Sequence, residues 1–353
     1  MIYWLFFFGI AFFAFLNSFS NAIFLRIIPI IGLIILVSLR GRVGPDTITY
    51  IQDYLNIRSG YGTNQGFERG YVLLENILGS IGAPVWILFA TVAIITLVSL
   101  GYGFSLYTDL PVVALMYYYA RFFLNREMNQ IRSGMASAIL LLSIRYLVDR
   151  KFMKFFVVVV IAGQFHSAAY IMLVVYPLFI VFSNVQHGTL LYVSLLLGAL
   201  VLAKYVTPLL VPAFEFLGRG SVYITYSGYV ESSGLYNPVL ILQVMISIVA
   251  SLLYFSKNNG QSDNNTLAIL IVYFVSTIIM VTLNAYGVLS GRLSTILGTV
   301  EPFLLIYIIK RTLGKAYITF LMMIGATIVF YVVFVKTGQI QLYFEPYVPM
   351  LLH

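Results

Sequence analysis

The chain has 353 residues, 61% of them hydrophobic and only 9% charged. This excludes an ordinary soluble domain, in which charged residues approach a quarter; a mean hydropathy of +0.97 over the whole length excludes a secreted protein with one removable apolar leader. With no cysteine, disulfides, thiol nucleophiles and thiolate metal sites are ruled out, and the net charge of +8 reads as membrane orientation rather than nucleic-acid binding.

The composition predicts an all-α, polytopic integral membrane protein, one transmembrane domain over residues 1–353, with about twelve spans of ~20 residues. In chain order they run Tyr3 to Phe19, Ile23 to Leu39, Pro84 to Leu106, Leu110 to Leu124, Ser133 to Val148, Phe152 to Phe165, Ser167 to Phe182, Thr189 to Tyr205, Pro238 to Phe255, Thr266 to Leu283, Arg292 to Ile309 and Ala316 to Val335. Orientation follows the basic residues of short loops. Arg145, Arg150, Lys151 and Lys154, then Lys257, then Lys310, Arg311 and Lys315 all fall on one side, the cytoplasm, provided that the apolar run from Phe152 to Phe182 is split near His166. Both termini and the loops 40–83, 206–237 and 284–291 then face outward, the first loop carrying short interfacial helices.

The outer side breaks the expected charge pattern with nine arginines: Arg40, Arg42, Arg58, Arg69, Arg121, Arg126, Arg132, Arg219 and Arg292. A guanidinium grips phosphate in two-pronged fashion, which lysine does not, so the cluster points to an extracytoplasmic anionic site. For Arg58 and Arg69, pairing with Asp53, Glu68 or Glu75 inside a folded loop is an equal reading.

Gly44-Pro45 opens a predicted helix that places Asp46, Tyr50 and Asp53 on one stripe. Carboxylates with aromatic planes suit a sugar; a capped interfacial helix with anchoring tyrosines is the alternative. From Gly66 a second short helix puts Phe67, Tyr71, Leu74 and Leu78 on an apolar face and Glu68 and Glu75 on the other, as for a helix lying on the membrane surface; Glu68 either positions a substrate hydroxyl or faces solvent. In the segment from Arg121 to Met135, helical spacing aligns Arg121, Asn125, Met128 and Arg132, with Arg126 and Asn129 on a neighbouring stripe. Three arginines between apolar spans call for an anionic partner, Glu127 answers for one of them, and a diphosphate suits the rest, a purely structural network being the alternative. His166 is the one histidine inside an apolar run, where an imidazole either accepts a proton from a hydroxyl nucleophile or bonds a neighbouring helix. Arg26 can snorkel from the inner end of its span, Glu301-Pro302 interrupts a late span at mid-membrane depth, and the aromatic tail from Tyr343 to Pro349 suits an interfacial lid. No phosphate-binding loop, dinucleotide fingerprint, metal-spaced cluster or Asp-x-Asp pair occurs, and no internal repeat suggests a transporter of two halves.

The ordered set Arg40-x-Arg42-Val-Gly44-Pro45-Asp46-Thr-x-x-Tyr50, Gly66-Phe-Glu68-x-Gly70-Tyr71, Asn125-Arg126-x-Met-Asn129-x-Ile-Arg132-x-Gly134, Tyr146-Leu-x-x-Arg150-Lys-Phe-x-Lys-Phe155, Phe165-His166 and Pro346-Tyr347 resembles the EpsG-like family of bacterial polysaccharide polymerases, relatives of the Wzy O-antigen polymerases. The chain departs from the usual pattern at Ser133, where glutamine is common, and after the histidine. The resemblance covers nearly the whole chain. It implies a GT-C-like architecture in the bacterial cytoplasmic membrane and an inverting, metal-independent glycosyl transfer at its outer face, without cofactor. A growing glycan would pass from polyprenyl diphosphate to a hydroxyl of another lipid-linked repeat unit, with the bilayer and a chain-length regulator as partners. Under that reading His166 or Asp46 orients or deprotonates the acceptor, and Arg126, Arg132 and Arg292 hold the diphosphate, with Arg132 essential. Arg40, Arg42, Tyr50, Glu68, Tyr71, Arg121 and Asn129 contact the remaining substrate. A transporter or flippase of an anionic glycan, and a surface-glycan ligase or acyltransferase, are the rival readings.

Overall fold

The structure, a computed structural model, describes residues 1–63, 66–185, 188–216, 234–256 and 263–350. Arg219, His187, Lys257, His353 and most of the expected second outer loop lie outside these residues. The described residues are helical and contain no strand. Six helices are long and apolar enough to cross a membrane, or seven if one bent pair counts as a single span. Shorter apolar helices cover Ile2–Asn17, Ile23–Ser38, Phe152–Gly163 and Ser167–Ser183. Every predicted span falls on an apolar helical stretch, and the protein is a multi-pass membrane protein.

The chain divides into two compact units, one of Met1–Ser143, Met153–Tyr170 and Leu313–His353, the other of Ile144–Phe152 and Ile171–Thr312. In the first unit, α1 (Ile2–Asn17), α2 (Ile23–Ser38) and α5 (Val85–Tyr107) surround α6 (Pro111–Tyr118), every residue of which is buried. Helix α1 shows how they are sided. Tyr3, Phe7, Ile10, Ala11 and Ala14 recur at helical spacing and are buried, while Leu5, Phe8, Phe12 and Phe15 are exposed. An apolar face left open is costly in water but not against hydrocarbon tails, so packing rather than polarity selects the inner face. Between α2 and α5 the chain makes a short helical hairpin of α3 (Thr47–Arg58) and α4 (Arg69–Ser80). At 12 residues each, these are too short to span a bilayer.

Helix α6 runs on through a π-turn, Tyr119–Phe123, and a final turn, Leu124–Arg126. Residues 127–130 then reverse the chain, with Gln130 N bonding Asn125 O at 3.0 Å and Ile131 N bonding Asn129 O at 3.1 Å, before α7 (Ile131–Val148) begins. The predicted continuous stripe from Arg121 to Arg132 is therefore corrected. Asn125 and Asn129 turn the chain instead of prolonging the helix, and Arg132 sits on a different helix from Arg121 and Arg126. Helix α8 (Phe152–Gly163) ends just before His166, at the predicted break.

In the second unit, described by itself, α12 (Asn264–Thr282) is central and packs against α9 (Val175–Ser183), α10 (Gly188–Phe216), α11 (Pro238–Phe255), α13 (Gly287–Gly298) and α14 (Glu301–Thr312). Its start is capped by Asp263, whose carboxylate accepts from Asn265 N at 3.0 Å and Thr266 N at 3.3 Å, satisfying amides that have no intrahelical partner. The predicted span from Arg292 begins earlier, at Gly287, and α13 and α14 are bent by 61° across their junction. Pro302, the second residue of α14, cannot donate back into α13, which accounts for the break.

Candidate active site

The site is built in the first unit, from four stretches distant in sequence. The loop after α2 is fixed first. Gly44 has φ +93°, and a Cβ there would lie 2.1 Å from the Met128 carbonyl oxygen, so only glycine lets this loop approach the 127–130 turn. Asp46 N donates to Asn129 Oδ1 at 2.7 Å and Gly44 N to the Tyr343 carbonyl at 2.7 Å. The aromatic tail thus bonds the loop from its other side, helped by Met350 N to Leu39 O at 2.9 Å and Tyr347 Oη to Leu36 O at 2.9 Å. Arg40 is fully buried; its Nη1 donates to the Glu127 carbonyl at 2.5 Å and its guanidinium lies 4.0 Å from the Phe89 ring centroid. It braces the loop from within, whereas Arg42 is exposed and Asp46 half-buried.

The second approach is at Gly70, where a Cβ would stand 2.7 Å from Gln164 Cβ. Gly70 N and Tyr71 N both donate to the Gln164 carbonyl, at 2.9 and 3.3 Å. This pins the start of α4 to the end of α8 and carries Glu68 to His166. Glu68 Oε1 accepts from Ser167 N at 2.9 Å and lies 3.4 Å from His166 Nδ1, while Oε2 pairs with Arg132 Nη1. Arg132 is flanked by aromatic rings, with its guanidinium 4.0 Å from the Phe67 centroid and 5.9 Å from those of Tyr50 and Tyr71. The three rings pack together at 5.5 to 5.9 Å, and cation–π attraction adds to the ion pair.

Electrostatics follow from this geometry. Burial alone would raise the Glu68 carboxyl, but the His166 imidazole, the Arg132 charge and the Ser167 N–H outweigh it and hold the group down at about 2. Glu68 is therefore ionised at any physiological pH. The Tyr71 and Tyr50 phenols are pushed up by burial against the opposing pull of Arg132, so they remain neutral donors. Arg132 keeps a side-chain exposure of 19% and His166 of 23%, enough for a ligand to reach them from outside the fold.

A third cluster lies beneath. Asp53 and Glu75 are fully buried side by side between α3 and α4, and Thr63 Oγ1 bonds both Asp53 oxygens at 3.0 and 2.8 Å. The prediction that Glu75 shares a solvent face with Glu68 is corrected. Helix α4 turns Tyr71, Glu75 and Leu78 inward onto α3 and leaves Leu73 and Ile77 exposed. Burial and the neighbouring Asp53 push the Glu75 carboxyl up to about 8. Sequence periodicity missed this pair because a protonated carboxyl behaves as a modest polar group, and hydropathy ranks it as a charge. Arg58 donates to the Ala83 carbonyl at 3.5 Å, and Arg69 is exposed.

Arg121 and Arg126 are buried at the end of α6, stacked on Phe122 at 4.9 and 5.5 Å, and Glu127 accepts from Tyr118 Oη at 2.7 Å. Arg292 is half-buried within α13 of the second unit, so the cluster described here is confined to Arg132, Glu68, His166 and the rings around them. Among the described residues no three His, Cys, Asp or Glu side chains gather as a metal site requires.

Comparison with known proteins agrees with the sequence motifs. No solved structure matches. The amylovoran biosynthesis protein AmsC of Erwinia amylovora is 20% identical over 346 residues, covering 92% of each chain. The profile of the EpsG family matches residues 23–348, a span that takes in both pinned loops and the Arg132–Glu68–His166 cluster, and the chain belongs to the EpsG family.

Proposed function

We propose that the protein is a polysaccharide polymerase that transfers a glycan from polyprenyl diphosphate to a hydroxyl of another lipid-linked repeat unit, at the outer face of the cytoplasmic membrane. Family membership, the relative named for amylovoran biosynthesis and the multi-pass helical build support a glycan-assembling membrane enzyme. The observation that carries the reaction type is the joining of a guanidinium, a carboxylate and an imidazole, the first and last still partly exposed.

In this reading the acceptor hydroxyl attacks the donor's anomeric carbon from the face opposite the diphosphate, giving inversion. Its proton passes to His166 Nε2, since Nδ1 faces Glu68. The bond from anomeric carbon to diphosphate oxygen breaks, the electron pair leaves with the diphosphate, and the Arg132 fork offsets the growing charge. The Arg132 side chain keeps 19% exposure while its Nη1 stays on Glu68, which leaves part of the fork open to a phosphate. Asp46 is the weaker candidate for base because its loop position is set by the backbone bond to Asn129. Tyr50 and Tyr71 contribute mainly by walling Arg132.

The test is to incubate the purified protein in detergent with its lipid-linked repeat unit and EDTA, then to size the glycans. A ladder of multiples supports the polymerase and a reaction independent of added metal. The bent pair α13–α14 is a feature a transporter would share, since broken helices line many transport sites. A single unchanged repeat would favour that reading, and flipping in liposomes would then be measured.

A further inference from the structure

We propose that Glu68 is the positioning residue of this site, a single carboxylate that sets both the guanidinium facing the leaving group and the imidazole facing the acceptor; the roles it coordinates rest on the polymerase reading. The first observation is what Glu68 does not do. It occupies the N-cap of α4 with an extended backbone, φ −66° and ψ 147°, yet its side chain makes no cap hydrogen bond. Asp, Asn, Ser or Thr at this place turns a side-chain oxygen onto the first free amides of its own helix, and the longer Glu68 side chain does not. Here the Gln164 carbonyl takes Gly70 N and Tyr71 N instead. The capping duty has moved to another segment, and the Glu68 carboxylate is released to point away from α4.

The second observation is where it points. Its two oxygens meet three groups from two other segments: Ser167 N and His166 Nδ1 on Oε1, and Arg132 Nη1 on Oε2. The Ser167 amide fixes the carboxylate relative to the backbone beside His166, so Arg132 and His166 are held at a set separation by one rigid planar group. An ionised carboxylate beside Nδ1 favours the tautomer with the proton on that nitrogen, leaving the Nε2 lone pair for an acceptor hydroxyl. The 3.4 Å separation is long for a hydrogen bond, as is common before substrate closes a site. Gly70 is then part of the same device, because any side chain at that position would push α4 off Gln164 and draw Glu68 away from His166.

Two measurements test this. In the elongation assay E68Q keeps shape and one acceptor oxygen but loses the charge. It is expected to lower kcat about 100-fold, as loss of an outer partner of a functional histidine commonly does, with the acceptor KM changed by less than about 3-fold and with partial rescue in E68D. Because Glu68 acts through both partners, E68Q in an H166A background is expected to slow elongation by clearly less than the roughly 100-fold it costs in the wild type, the remainder being the Arg132 share. The second measurement needs no turnover. The chain has three histidines, so 15N-histidine spectra of the protein in nanodiscs, with the His166 signal identified by its loss in H166A, report the tautomer directly. The Nδ1-protonated form is expected in the wild type and a mixture in E68A. Wild-type kcat in E68Q, losses that multiply in the double variant, or an unchanged His166 tautomer in E68A would each overturn the proposal. If the wild type fails to elongate its repeat unit, the polymerase reading falls, while the tautomer measurement still decides whether Glu68 sets His166.

Discussion

In the first unit, Arg132, Glu68 and His166 gather from three distant stretches with part of their surface open; in the second, several buried polar groups hydrogen-bond to one another inside a helix bundle. Gln243 Nε2 bonds Ser276 Oγ at 2.7 Å, Ser276 Oγ bonds the Ser294 carbonyl at 2.7 Å, Tyr192 and Ser247 share a 2.6 Å bond, and Tyr273 Oη donates to Glu301 at 2.8 Å. Each unit holds a carboxylate at a helix start, and the contrast between them is instructive. Glu301, fully buried, takes the first turn of α14, where the helix dipole favours a negative charge, and a phenol completes it. Glu68 leaves the first amides of its own helix to the Gln164 carbonyl and faces a cation and an imidazole. One carboxylate sits at a break in a span, and the other holds together two groups that, in the proposed reading, face a ligand.

The largest expected effect breaks the comparison if it fails. Arg132→Ala removes the one guanidinium that is both paired with Glu68 and partly open, and a lost donor to a developing oxyanion costs about 10² to 10³ in rate. Elongation in membranes carrying normal amounts of inserted protein should fall below detection; a normal ladder would remove Arg132 from the reaction. His166→Gln follows at about 10² to 10⁴, without loss of insertion or of the detergent-solubilised monodisperse peak. An equal drop in elongation and in protein yield would mark His166 as a packing residue.

Tyr273→Phe sharpens the other side. It deprives Glu301 of a donor inside the bundle, which costs about 1 to 3 kcal/mol of stability for a buried acceptor, visible as a lower melting temperature in detergent. Elongation per folded molecule should stay within about 2-fold of the wild type. A loss of activity larger than the loss of folded protein would move Glu301 from architecture to function.

Much of this is legible in the amino-acid sequence alone. Spans were readable because hydrocarbon imposes length and apolarity on each helix, and the break near His166 because Gly163-Gln164 interrupts an otherwise apolar run. Arg132, His166 and Glu68 were each suspect as ionisable groups in an apolar sequence. What spacing could not supply was their meeting, since it depends on Gly70 letting α4 touch Gln164 across some 90 residues of sequence. The stripe from Arg121 to Arg132 failed for a related reason: helical arithmetic assumes an unbroken helix, and Asn125 and Asn129 satisfy the backbone of a turn. Arg40 looked like a phosphate ligand by charge alone, while its burial against Phe89 and the Glu127 carbonyl makes it a brace.

The smallest expected effect concerns the buried pair beneath the site, and its sign separates the two carboxylates of α4 and its cap. Glu75 is raised from 4.5 to about 8 in the folded protein, by burial and then by Asp53, with Tyr71 and Arg132 also facing it and pulling the other way. The folded state therefore holds a proton that the unfolded chain has released. That contribution to stability is fully present below about pH 4.5, declines as pH rises, and is gone above about 8. Glu68 runs oppositely, since its folded value of about 2 lies below 4.5; its contribution is present above pH 4.5 and lost only as the pH falls toward 2. The windows do not overlap, so thermal melts of the wild type and Glu75→Gln between pH 5 and 8 isolate the buried pair. The wild-type melting temperature should fall across that interval relative to the variant, whose amide cannot titrate. Parallel curves would mean that Glu75 is ionised in the folded protein as it is in the unfolded chain, and that its burial does not raise its carboxyl.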